Sequence, residues 1–221
     1  MQFLLVNPNT NVATTERMVE IARDAARPDV VIKGATAGFG VPLITEPSAL
    51  AVAADAVEAL VRSTDMRPFD GVIVAAFGDP GLDRIRALVP CPVTGIAEAG
   101  LAEAAAGGRR FAVATTTPSL VASIEGLARH YGHAAFFIGT YLTTGDLDAL
   151  MRQPERLADA LENASRAAID AGAEAVVIGG GPLAVAARTI APRLPVPIIE
   201  PIPAAVRLAI ARRRRSETTA V

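Results

Sequence analysis

The chain has no tryptophan, only two tyrosines, one cysteine and two histidines among its 221 residues. Each shortage excludes something. A surface that stacks bases needs aromatic rings, and a net charge of −2 leaves no electrostatic footprint for DNA or RNA. One cysteine, Cys91, cannot make an intrachain disulfide, and with two histidines it cannot complete a zinc cluster. No run approaches the ~20 apolar residues of a membrane span. The opening MQFLLVNPNT lacks a positive n-region, and its apolar stretch is short for a signal peptide. The expectation is a cytoplasmic protein without a nucleic-acid partner, a membrane span or a metal cluster.

What the sequence has in quantity is Ala, Val, Leu and Ile, arranged as short apolar runs between longer amphipathic stretches. Strands are expected at 3–7, 30–33, 71–76, 91–95, 110–115, 134–139, 175–180 and 196–200. Several are apolar throughout, as in parallel sheets covered on both faces. Helices are expected from about Thr10, capped by Asn9 or Thr10, through Ala25. Others fall at 47–63, 80–88, 98–107, 118–131, 155–172, 182–192 and 201–213. The alternation predicts an α/β protein with mostly parallel sheets flanked by helices.

Three segments recur in order. FLLVNPNT (3–10) resembles FAVATTTP (111–118) at an offset of 108; DGVIVAAFGDP (70–80) resembles EAVVIGGGPLA (174–184) at 104; VPCPVTGIAEA (89–99) resembles LPVPIIEPIPA (194–204) at 105. This predicts a duplication and two pseudo-symmetric lobes, 1–97 with 205–221 and 98–204. Ligands of parallel sheets sit beyond the carboxyl ends of the strands, so the active site is expected in the cleft between the lobes.

The turns at those ends carry the candidate chemistry. Asn7-Pro8-Asn9-Thr10 offers amides, a hydroxyl and helix-start N–H groups for a carboxylate or imide oxygen, or is an ordinary N-cap. Thr115-Thr116-Thr117-Pro118 repeats the arrangement, or simply continues a strand. Ala76-Phe77-Gly78-Asp79 and Gly179-Gly180-Gly181 bring backbone N–H groups close to a ligand, or are packing turns. Their glycine spacing fits no nucleotide loop. Cys91, between two prolines at a strand start, reads as a small buried thiol. His130 and His133 read as helix C-terminal residues. Asp79 is a cap for the helix after Pro80 or a base, Glu98 a base or a buried hydrogen-bonding partner. The ARRRRSE run at 211–217 reads as a solvated helix end and tail.

Taken together, Val6-Asn7-Pro8-Asn9-Thr10, the FGDPGL run from Phe77, PVTGIAEA from Pro92, the threonine cluster and the glycine turn before Pro182-Leu183-Ala184 resemble the aspartate/glutamate/hydantoin racemase superfamily, most closely its hydantoin and allantoin racemases. The resemblance runs from Val6 to about Leu208. It implies two pseudo-symmetric α/β lobes, no cofactor, an oligomer of identical chains, and a thiol on each face of the substrate's α-carbon. The two thiol positions fall on Ala76 and Gly180, and neither is cysteine. It also implies substrate contacts from Asn9, Phe77, Gly78, Thr116, Thr117 and Gly181. The function expected is a cofactor-independent racemase or isomerase of a hydantoin-like or amino-acid-derived substrate. Three explanations of the missing sulfurs stay open: a cysteine-to-alanine replacement at 76 with Gly180 natural, which leaves a one-thiol enzyme like the superfamily's decarboxylases; an isomerase or lyase that uses Asp79 or Glu98 as its base; and a silent small-molecule binder.

Overall fold

All eight expected strands form, and all are parallel. The computed structural model describes residues 1–219, and the last two residues of the expected first lobe lie outside them. β1 (Gln2–Asn7), β2 (Val31–Thr36), β3 (Gly71–Val74) and β4 (Val93–Gly95) make one sheet in the order β2-β1-β3-β4. β5 (Phe111–Thr115), β6 (Phe137–Leu142), β7 (Ala175–Ile178) and β8 (Ile198–Ile199) make another, β6-β5-β7-β8. The helices are α1 (Val12–Ala25), α2 (Pro47–Ser63), α3 (Leu82–Arg86), α4 (Ile96–Ala104), α5 (Val121–His130), α6 (Leu147–Met151), α7 (Pro154–Asp170), α8 (Ala184–Ile190) and α9 (Pro201–Thr219). By contacts the chain divides into two compact units, Met1–Ala99 with Ile202–Val221, and Gly100–Pro201.

The two sheets share more than strand order. Phe3 pairs with Gly71 and Phe111 with Ala175; Val72 pairs with Val93 and Val176 with Ile198. These pairs are separated by the 108, 104 and 105 offsets of the sequence, so the register of the first sheet recurs in the second. The bonds that end the central strands recur as well: Ala75 N–H donates to Val6 O, and Gly179 N–H to Ala114 O, both at 2.8 Å.

Boundaries moved where turn chemistry intervened. β6 lies three residues later than expected, because Phe136 and Phe137 N–H both fold back onto the His133 carbonyl. The cap of α1 is Asn11, whose side chain accepts from Thr14 N–H, and neither Asn9 nor Thr10. The short α6 had no clear signal in the sequence.

In the arginine run of α9, Arg214 and Arg215 are exposed as a solvated helix end would have them, whereas Arg212 and Arg213 are not. Arg212 donates to both oxygens of Glu98 at 2.7 Å, and to Val93 O and Thr94 Oγ1. Arg213 reaches Asp70 at 3.0 Å. Arg86 of α3 also grips both Glu98 oxygens, at 2.8 Å. Burial disfavours the charge on Glu98, but the hydrogen bonds and charges of Arg212, then Arg86, outweigh it and hold the carboxyl below its ordinary range. Glu98 thus ties α3, α4, β4 and α9 together.

Replacing Arg212 by alanine is expected to lower stability by about 1–3 kcal/mol, read from urea denaturation. A carboxyl held low in the folded state adds stability above its unfolded value, near 4.3, that is lost as pH falls through the folded one. The variant is therefore expected to lose less stability than the native chain between neutral pH and about pH 3, again relative to that unfolded value.

Candidate functional site

In the first unit, Asn7 is fully buried at the end of β1. Its amide nitrogen donates to Asn9 Oδ1 (2.9 Å), Thr15 Oγ1 (2.9 Å) and Asn11 O (3.1 Å), while its oxygen accepts from Asn9 N–H. Asn9 Oδ1 also accepts from Asn11 N–H at 2.9 Å. Both neighbours of that oxygen are donors, which fixes the flip of the Asn9 amide. Its Nδ2 has no protein acceptor among the described residues and is the group left to donate to a ligand.

The turn after β3 carries Ala76. Gly78 and Asp79 N–H both donate to the Ala76 carbonyl, at 2.9 and 3.0 Å. The N–H groups of Ala76 and Phe77 have no acceptor among the described residues. Ala76 is half-buried, whereas Phe77 and Asp79 are buried. A side chain on Gly78 would run into Leu50 of α2.

Asp79 resolves differently from either sequence alternative. It caps α4 rather than the helix after Pro80: its carboxylate accepts from Ala97 N–H at 2.9 Å and Glu98 N–H at 2.7 Å. The N-cap of α3 is Gly81, without a side-chain bond. Asp79 is also the one non-glycine with positive φ among the described residues, at 44°, a left-handed conformation that aspartate tolerates better than most residues. Glycine at 95 makes this possible, because a Cβ there would fall onto the Asp79 carboxyl group. Glu98, the other proposed base, is spent on its two arginines and on Gly95 N–H.

In the second unit, Thr115 Oγ1 donates to Gly179 O at 2.8 Å. Since its proton is used there, Thr117 Oγ1 is the donor in the 3.2 Å contact between the two hydroxyls. Thr116 is buried, and its hydroxyl has no partner among the described residues. Beyond β7, Leu183 N–H donates to Gly180 O at 3.1 Å, the counterpart of the bond from Asp79 to Ala76. Gly180 N–H turns back to Ile178 O, leaving Gly181 N–H without an acceptor among the described residues. Among the backbone N–H groups of these two turns, those of Gly78 and Gly180 are therefore engaged and those of Phe77 and Gly181 are available. Gly180 has φ 167°, extended backbone open to any residue. A Cβ there would meet only the flexible Leu183 side chain, at 3.0 Å.

The remaining candidates lie elsewhere. Cys91 is half-buried rather than a core residue, because it lines a cavity of about 370 Å³ with Arg86, Val93, Glu98 and Arg212. Burial pushes its thiol up. His130 ends α5 with its ring 4.9 Å from Tyr131. His133 N–H closes the following turn on Ala128 O, its ring set edge-on to Phe111 and its pKa lowered by burial. No cluster of metal-ligating side chains occurs among the described residues, and no helix is long and apolar enough to cross a membrane. The availability of Ala76 N–H, and the role of Arg212, had no visible signal in the sequence.

The family model described as Asp/Glu/Hydantoin racemase matches residues 4–209. A hydantoin racemase of Paenarthrobacter aurescens is 29% identical over 213 residues, 95% of this chain and 89% of that protein. An allantoin racemase from Klebsiella pneumoniae superposes with a TM-score of 0.91 at 30% identity, covering 98% of this chain and 89% of that one. An arylmalonate decarboxylase shares the fold, with a TM-score of 0.65 at 19% identity over 96% of this chain and 92% of that one.

Substituting alanine for Gly95 is expected to cost at least about 2 kcal/mol, since it displaces a buried charged acceptor from two N–H groups. Thermal unfolding of the variant checks this.

Proposed function

The chain belongs to the Asp/Glu/hydantoin racemase family, and on that premise we propose that it binds a hydantoin-like or amino-acid-derived substrate in a site built for cofactor-independent proton transfer at its acidic α-carbon. The observation that carries this reading is the pair of available N–H groups at Phe77 and Gly181, matched by the duplication and each beside one of the thiol positions. Aimed at an imide or carboxylate oxygen, such donors stabilise the enolate-like charge that develops when the α-proton leaves. Asn9 Nδ2 and the hydroxyls of Thr116 and Thr117 would hold the substrate's polar edge.

The proton itself needs a group at positions 76 and 180. A methyl and a hydrogen cannot take or return it, and the nearest carboxylates are committed to α4 and to two arginines. That commitment favours a second reading, a binder without turnover in which the charge-stabilising half of the machinery persists alone.

Incubation of the native chain and of the Ala76→Cys/Gly180→Cys variant with an enantiopure benzylhydantoin in D₂O separates the two. General acid–base groups contribute roughly 10²–10⁴-fold, so the variant is expected to exchange the α-proton at least about 100-fold faster, with deuterium in both enantiomers. If both chains bind the hydantoin saturably and neither exchanges it, the binder reading holds and the racemase reading is lost. Carbon dioxide release from an arylmalonate would instead identify a one-sided lyase.

A further inference from the structure

Asp79 does more than cap a helix. Its backbone N–H holds the Ala76 carbonyl, its φ is left-handed, and its carboxylate is buried against the first turn of α4. Three consecutive constraints therefore run from α4 to the turn that presents position 76. The second unit shows which of them the turn itself requires. At the matching place stands Leu183, whose N–H makes the same bond to Gly180 without any carboxylate. In the sequence repeat the residues that match Ala97 and Glu98 are Ile202-Pro203, and proline has no N–H to satisfy. The turn at Gly180–Leu183 thus forms without an acid; in the first unit the acid adds a link between the turn and α4. Gly95 keeps the space that this link occupies.

We propose that Asp79 is a positioning residue for the turn after β3, holding Ala76–Phe77 rigidly against α4 so that the Phe77 N–H, and any side chain placed at 76, keep a fixed geometry toward substrate. This rests on the function proposed above, but its test does not require turnover. An asparagine at 79 is nearly isosteric, but the Ala97 and Glu98 N–H groups meet separate carboxylate oxygens, and asparagine replaces one of those acceptors by an NH2 donor. Gly95→Ala reaches the same end by expelling the carboxylate while leaving it charged.

The first measurement uses a chain in which position 76 carries the one thiol, Ala76→Cys/Cys91→Ser, with and without Asp79→Asn. A fixed carboxylate in the same turn disfavours the thiolate. Asp79→Asn is expected to raise the alkylation rate of Cys at 76 by iodoacetamide at neutral pH at least fivefold. Amide exchange at residues 97 and 98 is expected to accelerate roughly tenfold to a hundredfold. Gly95→Ala, which frees the turn with the charge retained, is expected to change both the alkylation rate and the exchange. A faster alkylation with Asp79→Asn alone would mark a charge effect and overturn the positioning role. An unchanged alkylation rate beside faster exchange at 97 and 98 would reduce Asp79 to a cap and overturn the proposal.

The second measurement places Asp79→Asn on the two-thiol variant with benzylhydantoin. The expected result is a kcat at least tenfold lower at similar KM, assayed well below the melting temperature of both proteins. An unchanged kcat overturns the positioning role even if stability falls. A two-thiol variant that never turns over defeats the functional reading alone, and the alkylation experiment still decides Asp79.

Discussion

The Glu98 carboxylate is the point on which the first unit closes. It is the shared acceptor for arginines from α3 and α9, it reaches back to the amide of Gly95, and its own backbone N–H is held by Asp79. A carboxylate this sheltered is costly to bury alone; the bidentate fork of Arg212 and the Nη2 of Arg86, shared between both oxygens, offset that cost. The arrangement fixes the start of α4 from both sides. Everything placed on the turn after β3 inherits its position from that anchor.

Much of the architecture was legible because parallel strands buried on both faces are written as apolar runs. Among the described residues, all eight strands and eight of the nine α-helices had a sequence signature, and the three sequence offsets reappear as the registers of the two sheets. What was not legible depends on which partner a polar group selects. Asn9 looked like a cap, but its oxygen is claimed by Asn7 and Asn11, and the cap passes to Asn11. The arginines of α9 looked solvated because their acids lie more than a hundred residues earlier in the chain, at Asp70 and Glu98. Asp79 found a helix 18 residues on, rather than the one beside it.

The site shows the same division. Positions 76 and 180 are singled out in the sequence by duplication and resemblance together, and each lies in a turn after a strand end, beside an N–H without an acceptor among the described residues. Which N–H groups stay unpaired could not be read from glycine content. Gly78 and Gly180 spend theirs inside their own turns, whereas Phe77, with a large side chain, keeps its amide available. Backbone donors are distributed by local hydrogen-bond closure, which side-chain identity reports only weakly.

The division of the chain into units has a consequence for how it is made. Residues 100–201 are continuous in sequence, while the first unit needs α9, which follows every other described element. Domains fold as they emerge from the ribosome, the earlier parts first. Here the earliest strands are synthesised long before Arg212 and Arg213, so Glu98 and Asp70 wait without these partners while the second unit is completed. The first sheet to be translated is thus the last to be finished, and the nascent chain carries an incompletely neutralised acidic seam until its final helix docks.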